Sequence, residues 1–462
     1  SPAVNTLLAN GDVISFTGSL SRTAGEDAGN YPITRGSLNN NNYAISFTDG
    51  LLTINKRPLT INVTAGQMKV YGAADPFAFA FTLSGSGLAV GDSISGRLVR
   101  DTGESIGSYV IRQGTLGVRK ISSGLNVTAN YDVTFNQNIF TIVKASTVTS
   151  LITSSSSVRY MDNVTLTAQV LPENNFSPLT GTVEFFINGS SYGSGAVAPV
   201  PGSATGLVQA LLTTQVTQLP GSYVVTAVFT STNTNYSGSQ NSKTLTVIPR
   251  NASPYMSTGY YTGDLFAWTT GSNSSTATLN LAAAIKDINV PSGDIRGARV
   301  TFNLLNGSTL TPISGATNLP VGLVNLSDAT VGVASAYVSL SIGTQNANSF
   351  QIVVTVSGAY RSDTGSALST AIITVSRPET SGYMVGGGQV SNTNSQGYVK
   401  GMAGLNTDFQ FDISYVRSGT NPKGKVNILI RSNNKPDGSL DTVLHTYKIT
   451  TNAISLLTVG LP

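Results

Sequence analysis

A short stretch of this chain occurs twice. Residues 24–38, AGEDAGNYPITRGSL, align without a gap with residues 102–116, TGESIGSYVIRQGTL. The positions that are identical are Gly25, Glu26, Gly29, Tyr31, Ile33, Gly36 and Leu38 in the first copy, and Gly103, Glu104, Gly107, Tyr109, Ile111, Gly114 and Leu116 in the second. Tandem repetition is typical of arrays in which each repeat is a folding unit packed on its neighbour. The repeat therefore predicts a modular chain rather than one large domain.

The match between the copies extends in both directions. LANGDVIS faces LAVGDSIS upstream, and NYAISF and LLTI face NYDVTF and IFTI downstream. Before its Gly-Asp turn the second copy carries PLTINVTAGQMKVYGAADPFAFAFTLSGSG, whereas the first has only SPAVNTLLAN. Two explanations stay open: either the sequence is cut inside a module, or the strands absent from the first copy come from another polypeptide by edge pairing.

The composition fits several small domains with an uncharged polar surface. A length of 462 residues leaves room for several domains of about 100 residues each. Only 10% of the residues are charged, and the net charge of +4 is scattered rather than clustered, which argues against nucleic-acid binding. The lack of cysteine excludes disulfides and thiolate chemistry. No apolar stretch reaches the ~18 residues of a membrane helix.

Strand patterns recur along the chain. Alternating apolar and polar residues, rich in β-branched side chains, occur in LTINVTA, VTLTAQV, TVEFFI, YVVTAVF, ARVTFNLL, FQIVVTV, AIITV and KVNILI. Residues 279–288, LNLAAAIKDI, have a composition that suits a helix, but the sequences on either side have strand patterns. We therefore predict an all-β protein.

Polar or proline-containing joints divide the chain into segments. We predict these segments as 1–57, 58–144, 145–249, 250–378 and 379–462. Short joints restrict the angle between neighbouring domains. The sequence therefore predicts a tandem array of Ig-like β-sandwich modules that forms an elongated rod.

The first two segments resemble a known family. VYGAADP at 70–76, with GSGLAVGD, TGESIGSY and NYDVTF, is similar to the MBG domain of YGX type, named for a Tyr-Gly pair that here is Tyr71 and Gly72. The resemblance covers about residues 1–144 and implies a tandem module of large secreted bacterial proteins, with an incomplete first copy. The residues that we expect to define the module structurally are Tyr71, Gly72, Gly25, Glu26, Tyr31, Gly103, Glu104 and Tyr109.

The remaining segments resemble Ig-like and other surface modules. Residues 145–249 are similar to the bacterial Ig-like repeat family through VTLTAQVLP, TGTVEFFINGSSYGSG and LPGSYVVTAVFTSTNTNYSGSQNSKTLTV. The alternation predicts that a set of side chains points into a sandwich core: Val164, Leu166, Ala168, Val183, Phe185, Val225, Ala227 and Phe229. Residues 250–378 resemble a further Ig-like domain, and 379–462 resemble Gly-rich C-terminal modules of surface proteins, many from Bacteroidota. In these families the modules are stalks, spacers or adhesive surfaces, which implies no catalysis.

Residues suited to catalysis are few. His445, the only histidine, follows Asp441 by four residues, but VLHTYKI has a strand pattern. We therefore expect a half-exposed strand residue rather than a catalytic base. The run VGGGQVSN at 385–392 lacks the Gly-Lys-Ser/Thr ending of a phosphate loop, and its glycines are expected to permit a tight turn or close strand packing.

Metal ligands are scarce as well. A single histidine and no cysteine argue against zinc. Calcium needs only oxygen ligands, and isolated carboxylates lie beside turns at Glu26, Asp27, Asp12, Asp92 and Asp294. No EF-hand loop or Asp-rich repeat is present, so we expect no cofactor, with calcium as the alternative.

Several aromatic residues lie close together at 260–268, YYTGDLFAW. Aromatic rings stack on sugars and anchor protein interfaces, so Tyr260, Tyr261 and Trp268 are candidates for contact with a ligand or a partner. The alternative is that they are core residues of a sandwich strand.

These features predict a non-catalytic structural or adhesive protein, extracellular and on a bacterial surface, that serves as a modular stalk or adhesin segment. Two alternatives stay open: a subunit of a self-assembling filament joined by strand complementation, and a glycan-binding accessory region of a secreted enzyme. The expected partners are neighbouring copies of this chain or other surface proteins, with glycans as a further class. Neither nucleic acid nor a membrane span is expected.

Overall fold

The computed structural model describes residues 11, 13–203, 205–362, 366–378, 383–414, 422–451 and 453–454. Within these ranges the chain is built from strands, one helical turn, α1 (Ser366–Ser369), and 3-10 turns at Thr128–Asn130 and Ile295–Gly297. The predicted all-β class is confirmed. None of the helices described in these ranges has the length and apolar character needed to cross a bilayer.

Unit 1 is the three-stranded antiparallel sheet of residues 21–54. Its strands, in pairing order, are β1 (Ser21–Arg22), β2 (Gly29–Thr34) and β3 (Gly50–Ile54). Most of their side chains are exposed, and of the described hydrophobic residues here only Leu38 is buried. Unit 1 is therefore a single sheet with almost no core, and not a sandwich.

Unit 2, residues 57–143, contains the second copy of the repeat. Its strands are β4 (Arg57–Val63), β5 (Gln67–Val70), β6 (Phe81–Gly85), β7 (Asp92–Ser95), β8 (Val99–Arg100), β9 (Gly107–Arg112), β10 (Gly117–Lys120), β11 (Tyr131–Asn136) and β12 (Asn138–Val143). They form the sheets β11-β4-β6 and β5-β12-β9-β8 and the pair β10-β7. β4 runs parallel to β11, and β5 runs parallel to β12.

Unit 3, residues 147–248, is a two-sheet sandwich. Its strands are β13 (Thr147–Thr153), β14 (Ser157–Arg159), β15 (Asn163–Pro172), β16 (Gly181–Ile187), β17 (Ser190–Ala196), β18 (Ala198–Pro199), β19 (Val208–Gln215), β20 (Gly221–Ser231) and β21 (Ser239–Ile248). The sheets are β13-β15-β19-β18 and β14-β21-β20-β16-β17. The side chains predicted to point inward from β15, β16 and β20 are all buried, because alternate residues of a strand face the same side of its sheet.

Unit 4, residues 250–376, is a second sandwich. Its strands are β22 (Arg250–Pro254), β23 (Phe266–Trp268), β24 (Thr276–Asp287), β25 (Ala298–Asn306), β26 (Thr309–Pro312), β27 (Leu319–Pro320), β28 (Gly322–Asn325), β29 (Asp328–Ser341), β30 (Ala347–Gly358), β31 (Tyr360–Ser362) and β32 (Thr370–Ser376). Its sheets are β28-β29-β24-β22-β31 and β23-β32-β30-β25-β26, with β27 beside β25. The helix-like stretch 279–288 lies almost entirely in β24, which is central in its sheet and has its alanines buried on both faces.

Unit 5, residues 383–450, is one antiparallel sheet. Its strands, in pairing order, are β33 (Tyr383–Ser391), β34 (Asn406–Ser414), β35 (Lys423–Asn434) and β36 (Leu440–Thr450). A Cβ on Gly386 or Gly388 would press into the ring of Phe411 or Phe409, so the glycine run of β33 makes room for two aromatic rings of β34. This is the close strand packing expected from VGGGQVSN.

Candidate functional site: the joints between modules

The repeat-defining residues build the same loop in units 1 and 2. In unit 2 the hydroxyl of Tyr109 donates a hydrogen bond to the backbone oxygen of Ser105 over 2.7 Å, and Tyr31 makes the matching bond in unit 1, also over 2.7 Å. A Cβ on Gly103 or on Gly25 would overlap the tyrosine ring of its own copy. Glycine and tyrosine therefore recur together because the ring lies directly on the glycine backbone.

Four charged side chains close this loop in unit 2. Arg100 lies 5.0 Å from the ring centroid of Tyr109 and pairs with Glu104 at 2.5 Å and Asp75 at 2.8 Å. Lys69 on β5 pairs with the same two carboxylates, at 2.5 Å to Glu104 and 2.7 Å to Asp75. The hydrogen bond from Lys69 holds the pKa of Glu104 below its usual value, although burial opposes this. The network ties β5 to the repeat loop.

The Tyr-Gly pair lies at the joint between units 2 and 3. The buried ring of Tyr71 packs edge-on against Phe176 and Tyr236 of unit 3, with centroids 5.2 and 5.4 Å away. Its hydroxyl donates to Oγ of Ser177 over 2.9 Å, and Nδ2 of Asn174 donates to its backbone oxygen over 2.6 Å. One continuous apolar cluster runs through both units at this point. The two residues that characterise unit 2 therefore act in its contact with unit 3.

Gly72 is expected to be intolerant of a side chain for this reason. It has φ +80°, and a Cβ there would overlap the side-chain amide of Asn174. We expect Gly72→Ala to lower the free energy of unfolding of units 2 and 3 by about 2–4 kcal/mol, from the left-handed backbone and the overlap together. Gly66 is the matched control, since it has φ +76° with open space around its Cβ position, so Gly66→Ala carries the backbone cost alone. Calorimetry measures both variants, and equal losses would contradict the role of the joint.

An asparagine of the following unit binds the repeat loop at two successive joints. Oδ1 of Asn235 in unit 3 accepts a hydrogen bond from the backbone N–H of Ile106 in unit 2 over 2.9 Å. Oδ1 of Asn130 in unit 2 accepts one from the backbone N–H of Ala28 in unit 1 over 2.8 Å. Ala28 and Ile106 are equivalent positions of the repeat, and each asparagine precedes a tyrosine. The same contact therefore joins unit 1 to unit 2 and unit 2 to unit 3.

Arg250, the first residue of β22, lies at the joint between units 3 and 4. Its fully buried guanidinium donates to Oδ2 of Asp287 over 3.1 Å, to Oδ1 of Asp162 over 2.6 Å, and to the backbone oxygens of Tyr160, over 2.8 Å, and Pro291. Asp162 and Tyr160 belong to unit 3, whereas Asp287 and Pro291 belong to unit 4. One buried cation therefore bridges the two units.

The carboxylate of Asp287 is surrounded by donors. Burial by itself raises the pKa of such a group, but hydrogen bonds from the side chain and backbone of Asn289 and from the backbone of Gly293, together with the charge of Arg250, bring the pKa of Asp287 below its usual value. The hydroxyl of Tyr360 donates to the same carboxylate over 3.1 Å. The folded joint therefore favours the ionised carboxylate.

This lowered pKa predicts acid sensitivity of unit 4. A carboxyl group whose pKa is lower in the folded chain contributes its stabilisation above its unfolded pKa, about 3.9, and loses it as the pH falls through the folded pKa. We expect the melting temperature of the transition that includes unit 4 to decrease as the pH drops below about 4. Asp287→Asn should reduce stability at neutral pH and flatten this acid dependence, because the titrating group is gone. Melting curves from pH 7 to pH 2 test this, and equal slopes for both chains would contradict it.

Arg431 on β35 is the corresponding buried cation between units 4 and 5. It donates to both carboxylate oxygens of Asp408, over 2.9 and 3.1 Å, and to the backbone oxygen of Asn406 over 2.9 Å within unit 5. It also donates to the backbone oxygens of Ala367, over 2.8 Å, and Thr370 in unit 4. The last sheet is thus attached to the fourth unit by a residue whose charge is balanced within the sheet itself.

Two domain families match this chain. Residues 2–53 and 59–141 match the family model of the MBG domain (YGX type), and residues 151–248 match that of the bacterial Ig-like domain (group 3). The resemblances predicted for residues 1–144 and 145–249 are confirmed, and both domain types are non-catalytic. A search of curated proteins finds no match.

Solved structures of modular proteins share low similarity with the chain. The D1-D4 ectodomain fragment of ICAM-5 has 12% identity and a TM-score of 0.29, over 87% of this chain and 100% of its own. The adhesin InvE of Yersinia pseudotuberculosis has 16% identity and a TM-score of 0.27, over 59% and 68%. The I9-I11 tandem of titin has 12% identity and a TM-score of 0.20, over 69% and 100%. Scores this low carry no conclusion about this chain.

The sequence makes Tyr260 and Tyr261 candidates for contact with a ligand or a partner. Both are buried in unit 4, where their hydroxyls donate to the backbone oxygens of Ala252 and Asp264, each over 2.6 Å. They are core residues, as in the alternative given for them, but they lie between β22 and β23 and not in a strand. Trp268 is half-exposed on β23 and packs edge-on against Phe266, with centroids 4.8 Å apart, so it stays a candidate contact residue.

His445 occupies a strand position. It lies on β36, about one-third exposed, with Nε2 3.0 Å from Oδ2 of Asp441. The hydrogen bond from this histidine holds the pKa of Asp441 below its usual value. Both side chains are partly exposed, which matches the expectation of a half-exposed strand residue.

The carboxylates considered for calcium are paired with other groups. In units 1 and 2, Glu26 pairs with Arg22 and Asp92 pairs with Lys120 at 2.8 Å. Asp27 accepts a hydrogen bond from Nδ2 of Asn130 over 2.6 Å. Asp294 pairs with Arg296 at 2.5 Å, and Asp12 lies outside the described residues. No three potential metal-ligating side chains come together among the residues that the structure describes. Calcium therefore stays a prediction without an assigned site.

Proposed function

We propose that this protein is a non-catalytic structural element of an extracellular bacterial surface, a modular stalk or adhesin segment. The observation that carries the proposal is that specific side-chain contacts join successive units, and that the residues making them are buried at the three joints from unit 2 to unit 5. The joints between units 1 and 2 and between units 2 and 3 use an asparagine bound to the repeat loop. The joints between units 3 and 4 and between units 4 and 5 each use a buried arginine. A chain built this way holds its ends apart without needing an active site.

The contacts at two of the joints oppose bending of the chain. Tyr71 is buried against two aromatic rings of the Ig-like unit, and Tyr160 packs against the apolar cores of both unit 3 and unit 4. Bending at either joint would expose these rings. At the joint between units 3 and 4 it would also break the hydrogen bonds of the buried Arg250, and bonds to charged groups cost more to lose than neutral ones. We therefore propose an elongated, semi-rigid arrangement of the five units.

Electron microscopy and small-angle scattering of the purified chain test this proposal. The expected result is a single population of rods whose length and end-to-end distance are narrow and independent of concentration. Arg250→Met and Gly72→Ala should broaden the distribution at one identifiable joint each. A broad distribution of shapes for the unaltered chain, or a compact particle, would overturn the stalk proposal.

A second candidate function is a filament subunit joined by strand complementation. It is favoured by unit 1, whose strand β3 has a partner on one edge only among the described residues and whose side chains are mostly exposed. Unpaired strand edges are templates for pairing with another chain. Sedimentation over a concentration series separates polymers from a monomeric stalk.

The third possibility, a glycan-binding accessory region, has less support. Of its three candidate residues only Trp268 presents its ring to solvent. Binding to insoluble glycans should disappear in Trp268→Ala, and the lack of any binding by the unaltered chain would remove this possibility.

A further inference from the structure

We propose that a cleft between units 4 and 5, the joint cleft, binds an acidic oligosaccharide, a short chain of sugar rings that carry carboxylate or sulfate groups. The joint cleft is lined by residues 345–349 of unit 4 and by residues of β34, β35 and β36 of unit 5. Its volume is about 640 Å³, within the range of about 300–1,000 Å³ typical of ligand clefts. The inference goes beyond the stalk or adhesin proposal and does not depend on it.

The sheet of unit 5 turns a polar face towards unit 4. Gln410, Asn427 and Thr450 lie opposite one another on β34, β35 and β36, so their side chains share a face of the sheet. Asp408 and Arg431, which form the joint, lie on the same face, because an even number of residues separates them from Gln410 and Asn427 along their strands. The joint covers one part of this face, and the joint cleft opens over another part.

Polar side chains of this face are held in fixed positions along the joint cleft. Nδ2 of Asn427 donates a hydrogen bond to Oε1 of Gln410 over 2.6 Å, and Oγ1 of Thr450 donates one to Oδ1 of Asn427 over 2.8 Å. Gln410 is only 2% exposed, and its Nε2 group forms no hydrogen bond with a described residue. Buried donors are normally hydrogen-bonded. The amide of Gln410 is therefore a preorganised donor for an acceptor on a ligand in the cleft.

Positive charge is concentrated in the joint cleft. Lys423, Lys425 and Lys448 line it with exposed side chains, and none of the three forms an ion pair with a described residue. Of the described residues that line the cleft, only Asp412 carries a carboxylate, and it lies opposite Lys425 without pairing with it. Only 10% of the residues of this chain are charged, so three unpaired lysines in one cleft are a local excess of positive charge. We therefore expect the ligand to be an anion.

Unit 4 supplies amide groups from the other side of the cleft. Gln345 lies between β29 and β30, and Asn348 lies on β30. Neither side-chain amide forms a hydrogen bond with a described residue. A side-chain amide both donates and accepts hydrogen bonds, and so do the hydroxyl groups of a sugar ring. Amides from both units and unpaired cations from unit 5 together suit a hydroxylated anion.

The lining favours an acidic sugar over a nucleic acid. Proteins bind single-stranded nucleic acid by stacking its bases on aromatic side chains. None of the described residues that line the joint cleft is aromatic. Trp268 is not among them, so the joint cleft is separate from the site considered for the glycan-binding alternative.

Calorimetric titration of the full chain with an oligogalacturonate, and with a sulfated oligosaccharide of the same length, tests the proposal. We expect saturable binding of one oligosaccharide per chain that weakens as the salt concentration rises. The tighter of the two ligands identifies carboxylate or sulfate as the preferred group, and a neutral oligosaccharide should bind at least about tenfold more weakly. Lack of saturable binding by both acidic sugars, or equal binding of single-stranded DNA of the same charge, would overturn the proposal.

A pair of double variants locates the site. Lys425→Gln with Lys448→Gln removes two cations of the joint cleft and should weaken binding about tenfold or more. Lys400→Gln with Lys435→Gln is the matched control, since it makes the same change of net charge at exposed lysines of unit 5 that do not line the cleft. The control should weaken binding less than about twofold, because the attraction of exposed charges away from the ligand is screened. Equal losses in both double variants would show that binding follows net charge alone and would overturn the assigned cleft.

Asn348→Ala tests the contribution of unit 4. Because the side chain of Asn348 has no hydrogen bond to lose among the described residues, the variant should fold normally and weaken binding about threefold to tenfold. The bound sugar should slow hydrogen exchange in residues 345–349 and in β35 together. Unaltered affinity in Asn348→Ala, with protection confined to unit 5, would contradict a cleft formed by both units. Electron microscopy of the cleft variants should still show rods, so a loss of binding leaves the stalk proposal intact.

Discussion

Arg250→Met should lower the free energy of unfolding of units 3 and 4 by about 3–5 kcal/mol. Methionine replaces most of the volume of the side chain, but it leaves the carboxylate of Asp287 buried without its cation, and breaking a buried pair in this way is strongly destabilising. Asp162 loses the same partner on the other side of the joint. Calorimetry should show one cooperative transition for the two units in the unaltered chain and two separate transitions in the variant.

Two further variants isolate the cause of this loss. Arg361 lies on β31, which pairs with β22, and its exposed side chain donates to Asn251 over 2.8 Å. Arg361→Met should therefore change stability by no more than about 0.5 kcal/mol. The double change Arg250→Met and Asp287→Leu should recover part of the loss, because no uncompensated charge is then buried. A loss of less than about 1 kcal/mol in Arg250→Met would contradict this account of the joint.

Arg431→Leu should release unit 5 from unit 4 and cost about 3–5 kcal/mol at neutral pH. The substitution removes the bonds to Ala367 and Thr370 that cross the joint, and it leaves the carboxyl group of Asp408 buried without its cation. Hydrogen exchange in β34 and β35 should accelerate while exchange in β25 and β30 of unit 4 stays slow. Lys425→Leu, on an exposed position of the same strand, is the matched control and should leave exchange unchanged.

The pH dependence of the stability of Arg431→Leu gives a second measurement. Burial raises the pKa of Asp408 even with the Arg431 cation beside it, and the rise should be larger once that cation is removed. A carboxyl group with a raised folded pKa favours folding at low pH and loses that contribution as the pH rises through the folded pKa. The stability deficit of Arg431→Leu should therefore be smaller at pH 5 than at pH 8. A deficit that does not vary with pH would show that Asp408 becomes solvated when the arginine is removed.

The joints give a physical reason for the motif that characterises the first family. Tyr71 and Gly72 contribute to the contact with the next module as much as to their own: the tyrosine ring lies between two aromatic residues of unit 3, and the glycine lets an asparagine of that unit approach. The other repeat-defining residues act within the module, where Gly103 supports the ring of Tyr109 and Glu104 binds Lys69. One set of residues shapes the module, and the other connects it.

Much of the fold followed from the sequence by itself. Alternation in VTLTAQV and YVVTAVF placed Leu166 and Ala227 in the core, because side chains of a strand alternate between the faces of its sheet whatever the rest of the chain does. The duplicated loop was visible because each copy repeats the same local contact between a glycine and a tyrosine ring. Both features depend on residues close together in the chain, and such features leave a pattern in the sequence.

The joints were decided only by the tertiary structure. Tyr71 meets Tyr236, and Arg250 meets Asp162, across long separations in sequence, and neither pair leaves a periodic or spacing signal. The same holds for Tyr260 and Tyr261: their composition suited an exposed binding patch, but the segment between β22 and β23 carries them into the core of unit 4. A residue's burial at a joint depends on which surface of another unit is brought against it, and local sequence does not specify that surface. The sequence therefore determined the modules of this protein, and the packing of one module on the next determined which residues hold them together.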